Sequence, residues 1–328
     1  MSLTRINLIF LHFLLFTSLN SWGESWNHQH IDEKIHVTNN HETMPVYLHG
    51  DLASDYLILV VHGGPGSDVK EYREYYNGKS GLQLLEGKYI VAYWQQRGAG
   101  ESKGIDDTKY YSINQYVSDL DHVIDTMKSI YPHKKIVLFG HSWGGTLTSS
   151  YLLSEEHRKK IDAWIDAAGV SDGTHLFEYA YNDLTSAAKR YIDANQNAEY
   201  WNHLLKMVNV QNALILSYSA MANIQDAANY VDIQKLKMTK RGIKTNQSLF
   251  PEIVQTNNNP SLKNFTKPVL LIWGKYDYCV SKKIKSDLKN YLSATKVTDV
   301  ECSHSGHFMM LNEPSFFASE VDKFIKTL

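Results

Sequence analysis

The chain has 328 residues, and 43% of them are hydrophobic, enough for a packed core in one large domain or one domain with an insertion. Its formal net charge of −2 at pH 7 gives no reason to expect nucleic acid or an anionic membrane surface as a partner. No metal-ligand signature such as H-E-x-x-H is present.

The first 23 residues have the layout of a secretory signal peptide. Arg5 precedes an apolar stretch at 6–16, and small and polar residues follow, with a possible cleavage site at 21–23. The stretch is shorter than the roughly 20 apolar residues of a membrane-spanning helix. An N-terminal helix or an uncleaved anchor is the alternative. We therefore predict a secreted or periplasmic protein, with no stable membrane insertion once residues 1–23 are removed.

The next segments alternate between strands and helices. Residues 33–50 are predicted to form an antiparallel hairpin at a sheet edge, and the segments 56–61 and 88–94 are predicted to be parallel strands. Apolar residues recur with a helical period over 113–131, and Pro132 stops that helix. This alternation predicts a mostly parallel sheet with helices on both faces.

A short predicted strand, 135–139, leads into Gly140-His141-Ser142-Trp143-Gly144, and a predicted helix follows at 146–153. A G-x-S-x-G between a strand and a helix is typical of the nucleophile elbow of an α/β-hydrolase. The turn is so sharp that side chains at positions 140 and 144 would collide with neighbouring backbone. We therefore predict an α/β-hydrolase fold with Ser142 as the nucleophile.

Two later loops supply candidate partners for Ser142. Asp277 follows a predicted strand at 268–273, and His307 follows another at 296–301. The order nucleophile, acid, base is the order of this fold, so Asp277 is predicted to orient His307, which takes the serine proton. His304 is the rival base, and a turn aspartate and a loop histidine are the alternatives.

The loop 62–66, of sequence HGGPG, directly follows the apolar strand 56–61. Glycine-rich backbone lets N–H groups approach a ligand closely. We predict an oxyanion hole made of the Gly64 and Trp143 N–H groups, with a plain tight turn as the alternative.

The pattern changes after a further predicted strand at 161–167. Residues 171–262 lack strand-like runs, and helices are predicted at 178–194 and 200–221. We interpret 171–262 as a helical cap inserted into a catalytic domain made of 24–170 and 263–328. Such a lid would narrow the entrance and favour small substrates.

Together these residues resemble the prolyl iminopeptidase family of α/β-hydrolases. The matching motifs occur in family order: HGGPG at 62–66, QRGAGES at 96–102, GHSWGG at 140–145, GKYDYCV at 274–280 and SGHF at 305–308. The resemblance implies Ser142, Asp277 and His307 as the catalytic triad. It implies removal of an N-terminal residue, typically proline, from small peptides without a cofactor. Relatives with broader aminopeptidase, amidase or esterase activity leave an esterase or small-amide hydrolase as the alternative, and a non-catalytic binding protein is a third class.

Two positions depart from the family pattern. The family usually has Asp where this chain has Gln95, in a segment expected to support the site. Family members that prefer proline also hold the substrate amine with carboxylates from a Trp-rich acidic cap motif, which is absent here. Glu178 and Glu199 are the candidate substrate-binding residues, although a solvated helix residue is the simpler interpretation of each. Asp183, Asp226 and Asp232 are further candidate acids of the region.

The only two cysteines, Cys279 and Cys302, lie in the loops of Asp277 and His307. They could form a disulfide in an oxidising compartment, or remain two unpaired thiols. The sequence leaves the oligomeric state open.

Overall fold

The computed structural model describes residues 30–74, 79–227, 238–294 and 296–328. The predicted signal peptide at 1–23 and Asp232 lie outside these residues. Within the described ranges, no helix is both long and apolar enough to cross a membrane.

Nine strands of the described chain form a single sheet. They are β1 (His30–Asn39), β2 (Glu42–Asp51), β3 (Tyr56–Val61), β4 (Ile90–Trp94), β5 (Lys103–Gly104), β6 (Lys135–His141), β7 (Ala163–Ala167), β8 (Val269–Gly274) and β9 (Val297–Cys302). Their order is β1-β2-β4-β3-β6-β7-β8-β9, with the short β5 paired to β2. The β2 pairs with β1, β4 and β5 are antiparallel, and all other pairs are parallel.

Helices fill most of the remaining described chain. They are α1 (Lys70–Arg73), α2 (Gly81–Leu85), α3 (Ile113–Ile130), α4 (Trp143–Tyr151), α5 (Glu155–Lys159), α6 (Leu176–Asp193), α7 (Ala198–Met207), α8 (Ala213–Ala220), α9 (Lys240–Ile253), α10 (Lys282–Tyr291), α11 (Met309–Asn312) and α12 (Pro314–Ile325). Short 3₁₀ turns lie at Thr108–Tyr110, Met221–Asn223 and Asn259–Asn264. Every residue of β4, β7 and β8 is buried, so layers of side chains cover both faces of the sheet centre. This is the predicted α/β-hydrolase architecture.

The sheet elements follow the sequence pattern closely. The edge hairpin of β1 and β2 turns at Asn40 and His41, which both have positive φ angles, of 40° and 63°. The strand predicted from 88 begins only at Ile90, because the Lys88 and Tyr89 N–H groups both donate to the Leu85 carbonyl in the turn that ends α2. The strand predicted at 161–167 likewise begins two residues later.

The helices between β7 and β8 differ from the prediction at one point. The helix expected over 178–194 is present as α6, but a single helix over 200–221 is wrong. The chain leaves α7 at Val208, whose ψ is 136°, and re-enters a helix as α8. Asn209 causes the break, because its side-chain oxygen accepts from the Gln211 and Asn212 N–H groups, both at 3.0 Å.

The helices α6, α7 and α8 contain a small apolar cluster of their own. Its largest side chain, Trp201, is fully buried and stacks on Tyr191 with the ring centroids 4.8 Å apart. Tyr276 and Tyr278, from the loop after β8, belong to the same cluster. The loop that carries Asp277 is therefore anchored on both sides of the aspartate by the helices that lie above the sheet.

Candidate active site

Ser142 lies between β6 and α4 in a conformation that few non-glycine residues adopt, with φ 56° and ψ −120°. Its carbonyl accepts from the Gly145 and Val170 N–H groups at 2.8 and 3.0 Å, which holds the turn. A Cβ atom at Gly144 would lie 2.1 Å from the Val61 carbonyl oxygen, and one at Gly140 would lie 2.6 Å from the Gly144 carbonyl oxygen. The collisions predicted for side chains at positions 140 and 144 are therefore real.

Asp277 and His307 form a buried pair at the ends of β8 and β9. The His307 Nδ1 lies 2.8 Å from Asp277 Oδ2, and Asp277 Oδ1 accepts from the Cys279 and Val280 N–H groups at 3.0 and 2.9 Å. Because the carboxylate accepts, the imidazole carries its proton on Nδ1 and leaves Nε2 with a free lone pair. Nε2 is buried and has no hydrogen-bond partner among the described residues.

The rival base, His304, is exposed, and its Nδ1 contacts the Asp226 carbonyl oxygen at 3.0 Å. It does not contact Asp277. The structure therefore pairs the acid with His307, which shares a cavity with Ser142.

A chain of hydrogen bonds that the sequence did not reveal runs behind these residues. His141 Nε2 lies 2.8 Å from the His307 carbonyl oxygen, and its Nδ1 lies 2.7 Å from the Tyr72 hydroxyl. A carbonyl only accepts, so Nε2 carries the proton and Nδ1 accepts from Tyr72, whose oxygen in turn accepts from the Gly63 N–H at 2.8 Å. Burial lowers the pKa of His141 well below its usual range, which keeps this ring neutral.

The two predicted oxyanion donors are the N–H groups of Gly64, in the loop after β3, and of Trp143, directly after Ser142. The Gly63 N–H is already engaged by Tyr72, whereas neither the Gly64 nor the Trp143 N–H donates to another described residue. Gly64 has a φ of 55°, and Trp143 is the first residue of α4, where N–H groups lack intrahelical partners. Both residues line a cavity that contains Ser142.

The QRGAGES segment and Gln95 brace this loop. Gln95 Oε1 accepts from the Val69 N–H at 3.0 Å, and its amide donates to the Ser67 carbonyl at 3.3 Å. Gln96 donates to the His62 carbonyl at 3.0 Å and accepts from the Trp143 indole at 2.8 Å. The neutral Gln95 thus fills a supporting position, as expected.

Two adjoining cavities meet at Ser142. The larger has a volume of about 240 Å³ and is lined by Gly63, Gly64, Ser67, Glu71, Tyr72, His141, Ser142, Tyr218, Met238, Asn246, His307 and Phe308. The smaller has a volume of about 100 Å³ and a mostly apolar wall: Gly64, Pro65, Ser142, Trp143, Val170, Leu176, Leu214, Tyr218, Asn246, Phe250, Ile253, Cys279 and Val280. Residues of α8 and α9 form part of both walls.

The two candidate substrate-binding acids are misplaced for that role, and this corrects the sequence interpretation. Glu178 is exposed in the first turn of α6 and lines neither cavity at Ser142. Glu199 is exposed on α7, beside a separate surface depression with Asn197 and Lys206. The acid that does line the larger cavity is Glu71, on α1. Glu71 lies outside the predicted cap 171–262, where the family pattern places the amine-binding acids.

Both cysteines are buried free thiols, so the structure has no disulfide between Cys279 and Cys302. One group among the described residues could ligate a metal ion: Asp277, Cys279 and His307, with donor atoms within 4.8 Å of one another. A metal there would compete with the hydrogen bond between Asp277 and His307.

Residues 54–315 match the family model of the serine aminopeptidases, S33. The chain belongs to this family. It is 24% identical over 294 residues to the probable aminopeptidase YbaC of Bacillus subtilis, a match that covers 81% of this chain and 88% of the relative. It is 22% identical over 294 residues to a proline iminopeptidase of Saccharolobus solfataricus, covering 82% and 84% of the two chains.

Solved structures of similar fold include enzymes of two kinds. An esterase from Exiguobacterium antarcticum superposes with a TM-score of 0.61 at 18% identity, covering 90% of this chain and all of that one. The proline iminopeptidase of Mycobacterium smegmatis superposes with a TM-score of 0.60 at 16% identity, covering 90% and 98%. At such identities the similarity establishes the fold. The S33 family membership establishes an α/β hydrolase related to aminopeptidases and esterases.

Proposed function

We propose that this S33 family member is a serine hydrolase that releases the N-terminal residue, with proline as the first candidate, from small peptides through an acyl-enzyme. One observation carries the proposal: the strained turn presents Ser142 to the cavity that His307 lines, and His307 is tied to Asp277 through Nδ1 while its Nε2 has no described partner.

In this mechanism His307 Nε2 takes the proton as Ser142 Oγ attacks the scissile carbonyl carbon. Asp277 holds the ring and stabilises the imidazolium that forms. The Gly64 and Trp143 N–H groups donate to the oxyanion, a type of contact whose loss costs about 10²–10³-fold in kcat. His307 then gives the proton to the departing amine, and water releases the amino acid from Ser142 by the same steps.

The size of the site supports a small acyl group. The two cavities at Ser142, of about 240 and 100 Å³, together lie at the lower end of the roughly 300–1,000 Å³ of pockets that hold drug-sized ligands. The relatives named as aminopeptidase and proline iminopeptidase agree with a single residue on the acyl side.

An esterase that uses the same residues is the second candidate, and the apolar wall of the smaller cavity favours it. Val170, Leu214 and Ile253 in that wall would accept an alkyl chain as readily as an apolar side chain.

Arylamides and an ester distinguish the two candidates. Purified protein would be assayed with prolyl and alanyl p-nitroanilides and with p-nitrophenyl acetate, and Ser142→Ala would be assayed in parallel. The proposal expects arylamide cleavage that is lost in Ser142→Ala. Ester cleavage without arylamide cleavage would reject the aminopeptidase and leave the esterase.

A further inference from the structure

Glu71 lines the same cavity as Ser142, on a short helix that hydrogen bonds hold in place. It lies on α1, directly before Tyr72, whose hydroxyl bonds to His141, the neighbour of Ser142. At the start of the same segment, the Val69 N–H donates to Gln95 at 3.0 Å. Two hydrogen bonds to different parts of the sheet edge therefore set the place of this short helix, and Glu71 lines the cavity of about 240 Å³ together with Ser142.

The carboxylate of Glu71 has no counter-ion within the described part of the chain. No ion pair or side-chain hydrogen bond joins it to another described residue, although neighbouring acids such as Glu74 are paired with Lys70 and Arg73. Among the residues that the structure describes, no lysine or arginine lines either cavity at Ser142. Burial, and then the negative charge of Asp68, raise the pKa of Glu71 to about 7. A half-buried acid in this state is stabilised by any cation that enters the cavity.

We propose that Glu71 binds the ammonium group of the substrate's N-terminal residue and so makes a free N-terminus the preferred substrate. This inference rests on the proposed aminopeptidase function and names the residue that selects its substrates. In such a substrate the ammonium nitrogen is two bonds from the scissile carbonyl carbon. Its partner must therefore line the same cavity as Ser142, as Glu71 does and as Glu178 and Glu199 do not.

The electrostatic surroundings of Glu71 give the contact a pH dependence. Besides Asp68 on its own segment, the titratable groups of the described residues that line the same cavity are Tyr72, His141, Tyr218 and His307. His141 is neutral, so it supplies no competing charge. Because the pKa of Glu71 is about 7, the acid is neutral below that pH and loses its attraction for an ammonium group. The preference for amines should therefore weaken as the pH falls below about 7.

A matched pair of substrates isolates the ammonium contact. Prolyl p-nitroanilide and cyclopentanecarbonyl p-nitroanilide have nearly the same shape, but only the first carries a ring nitrogen. The ratio of their kcat/KM values would be measured in the wild type, Glu71→Gln, Glu71→Asp and the control Glu74→Gln. Glu74 is paired with Lys70 and Arg73 and lines neither cavity, so its variant removes a nearby charge without touching the site.

We expect Glu71→Gln to lower the ratio about tenfold or more, chiefly through a higher KM for the prolyl substrate. Glu71→Asp should retain part of the preference, and Glu74→Gln should keep the wild-type ratio. The wild-type ratio should fall below pH 7, whereas that of Glu71→Gln should not depend on pH in this range.

Three results would overturn the inference, and they differ in what else they reject. A wild-type preference for the prolyl substrate that persists in Glu71→Gln rejects Glu71 alone. An equal loss of both activities in Glu71→Gln shows that the residue supports the structure and does not select the amine. No preference in the wild type rejects Glu71 and the aminopeptidase proposal together.

Discussion

The ring of His141 donates a hydrogen bond of 2.8 Å to the main-chain carbonyl of His307. The residue before the nucleophile thus holds the backbone of the base, and the two rings lie 4.7 Å apart. Tyr72 extends the link to Gly63 in the oxyanion loop. The nucleophile turn, the base and the oxyanion loop are therefore joined by one buried hydrogen-bond network.

Tyr72→Phe should weaken both the fold and the site. The change leaves the buried His141 Nδ1 and the Gly63 N–H without a partner, and such a loss costs about 1–3 kcal/mol in the free energy of unfolding. The kcat should fall as well, because the hydrogen bonds through Tyr72 that link Gly63 to His141, and so to His307, are lost. Urea unfolding and arylamide kinetics would measure these effects, with Tyr291→Phe on the exposed surface as the control. A change below about 0.5 kcal/mol would contradict the network, because surface substitutions reach that size.

Asp277→Asn should reduce kcat by about 10⁴-fold, because an amide no longer stabilises the imidazolium and can impose the wrong tautomer on His307. The substitution changes the 2.8 Å hydrogen bond between Asp277 and His307 and the two hydrogen bonds that Asp277 Oδ1 accepts from backbone N–H groups. Asp287→Asn, on α10, is the matched control, because this carboxylate contacts Lys283 and the Tyr179 hydroxyl and lines neither cavity at Ser142. A loss of less than about tenfold would mean that another group orients the base.

Arg97→Met tests the structural interpretation of the QRGAGES motif. The Arg97 guanidinium is buried and makes two bonds to Asp119, at 2.7 and 2.8 Å. Removing it leaves an uncompensated buried carboxylate, and we expect a loss of about 3–5 kcal/mol in the free energy of unfolding. At a low temperature at which Arg97→Met is still folded, its KM should stay near the wild-type value. Full stability together with a greatly raised KM would instead place Arg97 in substrate binding.

Asp166 should make the free energy of unfolding decrease as the pH rises. It is fully buried on β7, neither of its oxygens has a described hydrogen-bond partner, and burial raises its pKa well above the usual range. The folded state therefore holds a proton that the unfolded chain releases above its own pKa of about 3.9. The contribution of Asp166 to the free energy of unfolding is therefore largest below about pH 3.9 and declines as the pH rises.

Asp166→Asn should remove this decline, because the amide resembles the protonated acid and does not titrate. The Tm of the variant relative to the wild type should rise between pH 5 and pH 8, and each unit of pKa difference corresponds to about 1.4 kcal/mol. Thermal unfolding at several pH values would measure it. Parallel pH profiles for the two proteins would show that Asp166 is ionised in the fold.

The elements that were predictable are those in which one local signal dominates. The strand Tyr56–Val61 is an unbroken apolar run of 6 residues, and this short length favours a strand buried on both faces over a buried helix. The helix α3 has a clear period and ends before Pro132. The strained turn at Ser142 was predictable from its flanking glycines, because no side chain fits at positions 140 and 144.

The features that were missed depend on contacts between distant segments. The break at Val208 arises from the side chain of Asn209, a local signal that the apolar residues on both sides obscured. His141 and Tyr72 are far apart in the chain and carry no motif that announces their hydrogen bond. Glu71 became a candidate only because folding brings α1 to the cavity of Ser142.

Trapping of the acyl-enzyme would show whether Ser142 is the nucleophile. The wild type would be mixed with p-nitrophenyl acetate, quenched in acid within the burst and examined by intact-mass and peptide mass spectrometry, and Ser142→Ala would be treated in the same way. Our account predicts one acetyl group, located on Ser142 and absent from the variant. An adduct on another residue, or turnover that persists in Ser142→Ala without an adduct, would contradict it.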